Sequence, residues 1–245
     1  MSNASSLISS LKEYNKNSSL PIPIPTLDIE AQFKVLTIKE HKNIIDTISQ
    51  SDVPGEIVNI FNNVIYNSCD AELAPALTTL DRPIILMSIR SHLFGDDMTV
   101  EGKKINLLDH ITKSLKTPIA KDIQSKLIKD NNFEIRCKIP TIKSDIDINN
   151  VLFDNVKIDS DTVLGKIFLY ELIKFVDTIT FNDNIYTFSD ISINNRVEIC
   201  ELLPITISNE ITTYINTVKD RENQYLKVSD DITLVAENIL FSETS

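Results

Sequence analysis

Three prolines alternate with two isoleucines at Pro21-Ile22-Pro23-Ile24-Pro25. Each proline fixes φ near about −65° and has no N–H to donate, so this segment can be neither helix nor central strand. It must run extended, as an edge strand or a polyproline-like path. Gln32–Ile38 (QFKVLTI) follows and is rich in β-formers. The two segments together predict an N-terminal β-ribbon. Residues 1–19, rich in Ser and Asn, read as a flexible tail with a short helical turn around Leu7–Tyr14.

Beyond the ribbon the apolar period changes from two to that of a helix. A helix begins at Thr37 or Lys39 and runs to about Ser49, with Ile38, Ile44, Ile45 and Ile48 on one face. A second runs over 55–68, with Ser51 or Asp52 as N-cap. A third runs over 82–93, with Asp81 as N-cap, Pro83 in the first turn and Gly95 as stop. Met98–Ile105 is a candidate hairpin around Glu101-Gly102. Leu107–Leu115 and Ile119–Ile128 are candidate short helices. Phe133–Ile139 alternates strictly, and with Ile142–Ile148 it predicts an antiparallel pair around Pro140. After a loop at 154–161, Thr162–Thr180 carries a broad helical apolar face. Helices at 194–203 and 205–218 break at Pro204, and Tyr225–Phe241 reads as a last hairpin turning near Asp230-Asp231. The expected fold is α+β, mostly helical, with an N-terminal β-ribbon and a small central antiparallel β segment. The expected organisation is a tail (1–19), a ribbon-plus-helical domain (20–130) and a hairpin-plus-helical C-terminal domain (131–245).

Composition narrows the function. The net charge is −11, which repels phosphate backbones and anionic membranes, so nucleic acid is not an expected partner. A basic protein surface is the natural electrostatic complement. The three cysteines, Cys69, Cys137 and Cys200, lie far apart with no CxxC or CxxH pair, which excludes a zinc ribbon and suggests buried thiols in a reducing compartment. No secretory leader or membrane span is expected, since no stretch approaches the roughly 20 apolar residues a span needs.

No catalytic constellation stands out. There is no GxSxG, Walker or GxGxxG motif, and four glycines leave little room for a phosphate cradle. His41, His92 and His110 are isolated, so each reads as an ordinary helix residue. The acidic pairs Asp96/Asp97, Asp145/Asp147 and Asp159/Asp161 read as solvated loops. The last resembles the start of a calcium loop, but Tyr170 stands where the twelfth-position Glu belongs. No enzyme activity, cofactor or metal is expected.

Two stretches carry a family resemblance. The first is Phe33-Lys34-Val35-Leu36-Thr37-Ile38-Lys39-Glu40-His41-Lys42, a strand running straight into a helix. The second is Val64-Ile65-Tyr66-Asn67-Ser68-Cys69, followed by Leu80-Asp81-Arg82-Pro83 and on to Arg90-Ser91-His92-Leu93-Phe94-Gly95. Their order resembles the baseplate hub assembly protein family of T-even-like contractile-tail phages. In that family a ribbon ends in an F-x-V-K-E-E-K helix start, a helix ends in N-C, and F-D-x-E-Y-x-F-L-x-L-R-x-x-S-x-G follows. Asp81, Arg90 and Gly95 keep that frame. The aromatic-rich stretch is replaced by Asp81-Arg82-Pro83-Ile84-Ile85-Leu86, and His41 stands for the second Glu. The likeness extends more weakly through Phe133–Val151 and Leu169–Pro204.

The resemblance implies a protein that binds a baseplate hub or tape-measure protein during virion assembly in the host cytoplasm, without catalysis. A permanent hub subunit is the second reading. A hub-associated cell-wall hydrolase is the third, and it lacks a nominated acid and nucleophile. Lys39, Glu40, Asp81 and Arg90 are the candidate partner-binding residues; the plainer reading makes them caps and surface ion pairs. The oligomeric state is left open.

Overall fold

The computed structural model describes residues 3–50, 54–130, 133–155, 163–235 and 239. The ribbon forms as expected: β1 (Ser19–Ile24) pairs antiparallel with β2 (Ile29–Lys34). The Ser18 carbonyl accepts from Val35 N–H, which places the ladder bonds on the even positions of β1 and leaves Pro21 and Pro23 with their missing donors turned outward. Ile22, Ile24, Ala31 and Phe33 point inward and are buried, with β1 against α4 (Arg82–Phe94). Residues 3–17, read above as tail, form α1 (Asn3–Asn17).

Helices α2 (Ile38–Gln50) and α3 (Pro54–Ser68) follow. The proposed N-caps Ser51 and Asp52 lie outside the described residues. Helix α4 stops at Gly95, whose φ of 87° is open to glycine at little cost. Asp81 departs from expectation: it is helical in backbone and does not cap α4. Its carboxylate instead accepts from the N–H and hydroxyl of Thr78, closing the 3-10 turn Thr79–Asp81. It also accepts from the N–H (2.9 Å) and hydroxyl (2.7 Å) of Thr26 in the ribbon turn. One carboxylate thereby ties the ribbon to the entrance of α4.

Strands β3 (Asp97–Val100) and β4 (Lys103–Asn106) form the expected hairpin, with Glu101 and Gly102 both at positive φ. Helix α5 (Leu107–Leu115) is capped by the Asn106 side chain. The segment read as a helix over 119–128 is instead one turn, α6 (Lys121–Gln124), and a strand, β5 (Ser125–Asp130). Strand β6 (Phe133–Lys138) is as expected, but its partners are not. Ile142–Ile148, read as a strand, is the start of α7 (Ile142–Asn155). Its buried residues are Ile142, Asp145, Ile146, Ile148, Asn149 and Leu152. Two polar residues among them hid the helical period. Thr141 supplies the N-cap, accepting from Ser144 N–H.

The helix read over 162–180 ends earlier than expected. After α8 (Val163–Phe175) the chain becomes β7 (Val176–Phe181), where the run Val176, Thr178, Ile179, Thr180 favours strand. A two-residue turn, Asn182-Asp183, both at positive φ, leads into β8 (Asn184–Thr187). The result is one antiparallel sheet, β5-β6-β7-β8, with β5 drawn from before residue 131 and the rest from after it. Helix α9 (Ile193–Glu201) and the 22-residue α10 (Ile205–Leu226) flank Pro204. Strands β9 (Lys227–Ser229) and β10 (Ile232–Thr233) turn near Asp230-Asp231 as read; residues 236–238 and 240–241 of that segment lie outside the described residues. Helix α10 packs on α4, α5, α6, α8, β5 and β9. Its stripe Ile207, Ile211, Tyr214, Ile215, Val218 and Tyr225 is buried.

Asp81 is 0% exposed and answers four donors, and among the described residues no cation is bonded to it. Asp81→Ala leaves those partly buried donors without their acceptor. It is expected to cost about 3 kcal/mol of stability, and Asp81→Asn, which keeps one acceptor oxygen, less. Urea midpoints of the three proteins check this; equal midpoints refute the anchoring role.

Candidate interaction surfaces

The four residues singled out from the sequence divide into two groups. Thr37 and Glu40 form a capping box at the start of α2. Glu40 N–H donates to the Thr37 hydroxyl at 3.2 Å, and Thr37 N–H donates to Glu40 Oε2 at 2.7 Å. Lys34 adds an ion pair with Glu40 at 2.9 Å, and Lys39 is exposed. Burial raises the Glu40 carboxyl, but the Thr37 and Lys34 contacts outweigh it and hold it below its ordinary value. Asp81 and Arg90 lie in the interior. Arg90 is 0% exposed, with its guanidinium 4.6 Å from the centroid of the Phe94 ring. In this conformation their contacts are internal, so neither side chain reaches the surface.

What the sequence did not reveal is a cluster of six charges. Asp145 of α7 receives Lys174 of α8 at 2.7 Å, Asn62 of α3 at 2.7 Å and Arg82 of α4 at 3.5 Å. Arg82 reaches Glu222 of α10 at 2.6 Å. Glu171 takes Lys219 at 2.8 Å and Lys174 at 3.4 Å. Three cations meet three anions, drawn from four helices, and α3 adds the neutral Asn62 amide. The cluster lines a cleft of about 210 Å³ with Gly55, Pro140 and Asn149. Burial raises the Asp145 carboxyl, while Lys174 and Arg82 hold it below the usual range; burial, then Lys174 and Lys219, act likewise on Glu171. The charges answer one another, so the cluster reads as a structural clamp. Of the acidic pairs noted in the sequence, Asp145 and Asp147 part company: Asp147 pairs with Lys143 at the surface. Asp96 accepts from Ser91 and Asp97 from Asn106. Asp159 and Asp161 lie outside the described residues. Among the described residues no three His, Cys, Asp or Glu converge on a metal-sized site. Cys69, Cys137 and Cys200 are buried free thiols, which burial pushes up to about 11, 12 and 12. His110 is buried with Nε2 at 2.7 Å from the Tyr225 carbonyl, and His92 is exposed.

Two surfaces are apolar enough to take a partner. On α1, Leu7, Ile8, Leu11 and Tyr14 fall within one helical stripe and all are exposed, Tyr14 at 70%. On the opposite kind of relief, α8, α9 and the start of α10 enclose a groove of about 700 Å³ floored by Phe168, Leu169, Leu172, Leu203 and Ile205. Leu164 of α8 (82% exposed) and Leu202, just past the end of α9 (80%), are exposed without lining the groove.

The chain matches the family described as T4 bacteriophage base plate protein over residues 13–228 and therefore belongs to it. No curated protein and no solved structure matches the chain. The family gives the protein a baseplate-related role in a T4-like phage and other phage tail proteins as its partners. No helix among the described residues is long and apolar enough to cross a membrane.

The clamp sets an acid limit. Asp145 and Glu171 have folded values below their ordinary 3.8 and 4.5, so the folded state releases their protons more readily than the unfolded chain. The stability they contribute is fully present above the ordinary values and is lost as pH falls through the lowered ones. The urea midpoint should stay level from about pH 7 to 5 and drop below about pH 4. Glu171→Gln should flatten part of that drop; an unchanged acid slope refutes the assignment.

Proposed function

We propose that this protein is an assembly factor of the baseplate hub, which holds a hub or tape-measure protein in the host cytoplasm before that partner polymerises. It works by covering apolar surface, without catalysis and without a cofactor. The observation that carries this reading is the pair of exposed apolar faces, on α1 and on the α8–α9–α10 groove, in a chain of the baseplate family. An apolar groove on a rigid helical body can shield a client's apolar segment through ordinary burial, at about 25 cal/mol per Å² removed from water. The −11 charge keeps such a body dispersed while those faces are open and favours a client with basic flanks.

The test is mass spectrometry of purified mature particles beside an affinity capture from infected-cell lysate. An assembly factor is expected to be absent from particles and to bring down a hub or tape-measure protein. Fixed copy number in the particle would instead make it a permanent subunit of the hub. An Ile205→Lys chain, changed at a groove-lining residue that is 70% exposed, should capture at least about tenfold less client while keeping its thermal midpoint.

A further inference from the structure

The four-stranded sheet has two ends, and they are finished differently. A strand at the end of a sheet offers unpaired N–H and C=O groups to any extended chain that meets it, and proteins blunt such edges with prolines, lysines or a covering element. Strand β1 of the ribbon does so with Pro21 and Pro23, whose missing donors face outward. Strand β5, at one end of the sheet, carries Lys126 and Lys129 and lies against α6 and α10. Strand β8, at the other end, has none of these devices. Asn184-Ile185-Tyr186-Thr187 contains no proline, no charge and no bulge, and among the described residues it pairs with β7 alone.

The register fixes which groups are on offer. The two-residue turn Asn182-Asp183 closes on the pair Phe181–Asn184, which exchanges both backbone hydrogen bonds, as does Ile179–Tyr186 two residues further on. Ile185 and Thr187 hold the alternate positions, so their backbone groups turn away from β7. The Thr187 carbonyl opens the 3-10 turn Phe188–Asp190. That leaves the Ile185 N–H, the Ile185 C=O and the Thr187 N–H on the outer edge, and among the described residues no group bonds to them. Ile185 is 70% exposed on one face of this edge, and Tyr186 and Phe181 are exposed on the other. An added strand rests its alternate side chains on both.

We infer that β8 is where an extended segment of another protein, basic at its ends, adds a strand to the sheet. The free backbone groups demand an extended chain, and charge selects which one. From Phe175 to Ile191 the chain has Asp177, Asp183 and Asp190 and no Lys or Arg. Lys138 answers Asp177, and Arg196 lies near Asp190. Asp183, at the tip of the hairpin, has no cation bonded to it among the described residues. A second copy is the poorer occupant. Antiparallel pairing of two β8 strands, Ile185 against Thr187, sets Asp183 of each copy beside the Ser189-Asp190 turn of the other, and it brings together two chains of charge −11. With three backbone groups on offer the contact is weak, with a Kd between roughly 10 µM and 1 mM. It uses no residue of α1 or of the α8–α9–α10 groove, so it stands or falls apart from the client reading.

The probe is a capped hexapeptide, Lys-Thr-Val-Thr-Val-Lys, titrated into the purified full chain and followed by NMR-detected amide hydrogen exchange. At saturation the Ile185 and Thr187 amides are expected to exchange at least about threefold more slowly, while those of Asn184 and Tyr186, already bonded to β7, change little. The same peptide methylated on every backbone nitrogen keeps its charges and side chains but cannot pair, and it is expected to bind at least about fivefold more weakly. Glutamates in place of its two lysines are expected to abolish binding. Ile185→Lys changes an exposed side chain, so the chain should keep its thermal midpoint and bind the lysine peptide at least about fivefold more weakly. No binding at about 1 mM overturns the proposal. So does binding that leaves the Ile185 and Thr187 amides unchanged, or a methylated or glutamate peptide that binds as well as the original. A wild-type dimer in sedimentation velocity that Ile185→Lys abolishes overturns the choice of occupant, since a second copy then holds the edge.

Discussion

A single buried carboxylate, Asp145, sets how the helices can sit against one another. It accepts from Lys174, Arg82 and Asn62, and Arg82 and Lys174 pass the connection to Glu222, Glu171 and Lys219. Taking such charges out of water is expensive, and the attraction between them returns that cost only when the geometry is right. The cluster therefore contributes less to net stability than its number of bonds suggests. What it does is penalise wrong arrangements: a slip of any of the four charge-bearing helices leaves a largely buried charge without its partner. Since α3 and α4 precede the four-stranded sheet, α7 and α8 lie between its central strands and α10 follows it, the cluster also binds the two halves of the chain into one packing solution.

The ribbon is attached by a different device. Its outer strand carries prolines, so it cannot extend a larger sheet through its outward edge, and its anchoring must come from side chains. Ile22, Ile24 and Phe33 supply burial, and Asp81 supplies direction by gathering the donors of Thr26 and Thr78. Burial raises the Asp81 carboxyl while those hydrogen bonds pull it down. A carboxylate used in this way, inside the molecule and with no cation bonded to it among the described residues, holds a turn in place at the cost of its own desolvation. Exposed apolar side chains lie on α1 and along the α8–α9–α10 groove, and none of them belongs to either anchor.

Much of this was legible from residue order alone. Alternating prolines gave the ribbon, Glu101-Gly102 gave the β3–β4 hairpin, the 107–115 segment gave α5, and Pro204 separated α9 from α10. The errors share a cause. Ile142–Ile148 alternates like a strand because Asp145 and Asn149 occupy buried helical positions, and only Lys174, Arg82 and Asn62, distant in sequence, make a buried aspartate tolerable there. The helix over 162–180 ran too far because the apolar positions continue, although the β-branched run Val176–Thr180 and the Asn182-Asp183 turn were signals that could have marked the change. Asp81 looked like a cap because it precedes a helix with proline near its start; its true partner, Thr26, lies 55 residues away.

The candidate site shows the same division. The sequence marked Lys39, Glu40, Asp81 and Arg90 from their place in a family-like frame, and that frame does lie within the matched span of the baseplate family. It could not show that Asp81 and Arg90 are enclosed, or that Phe168, Leu169, Leu203 and Ile205 come together. By itself the sequence determined the local states: where prolines forbid helix, where glycine or asparagine permits a turn, where an apolar stripe makes a helix amphipathic. Tertiary structure decided which stripes found cover and which buried charges found partners. Both depend on contacts between residues far apart in the chain, and local periodicity carries no record of those distances.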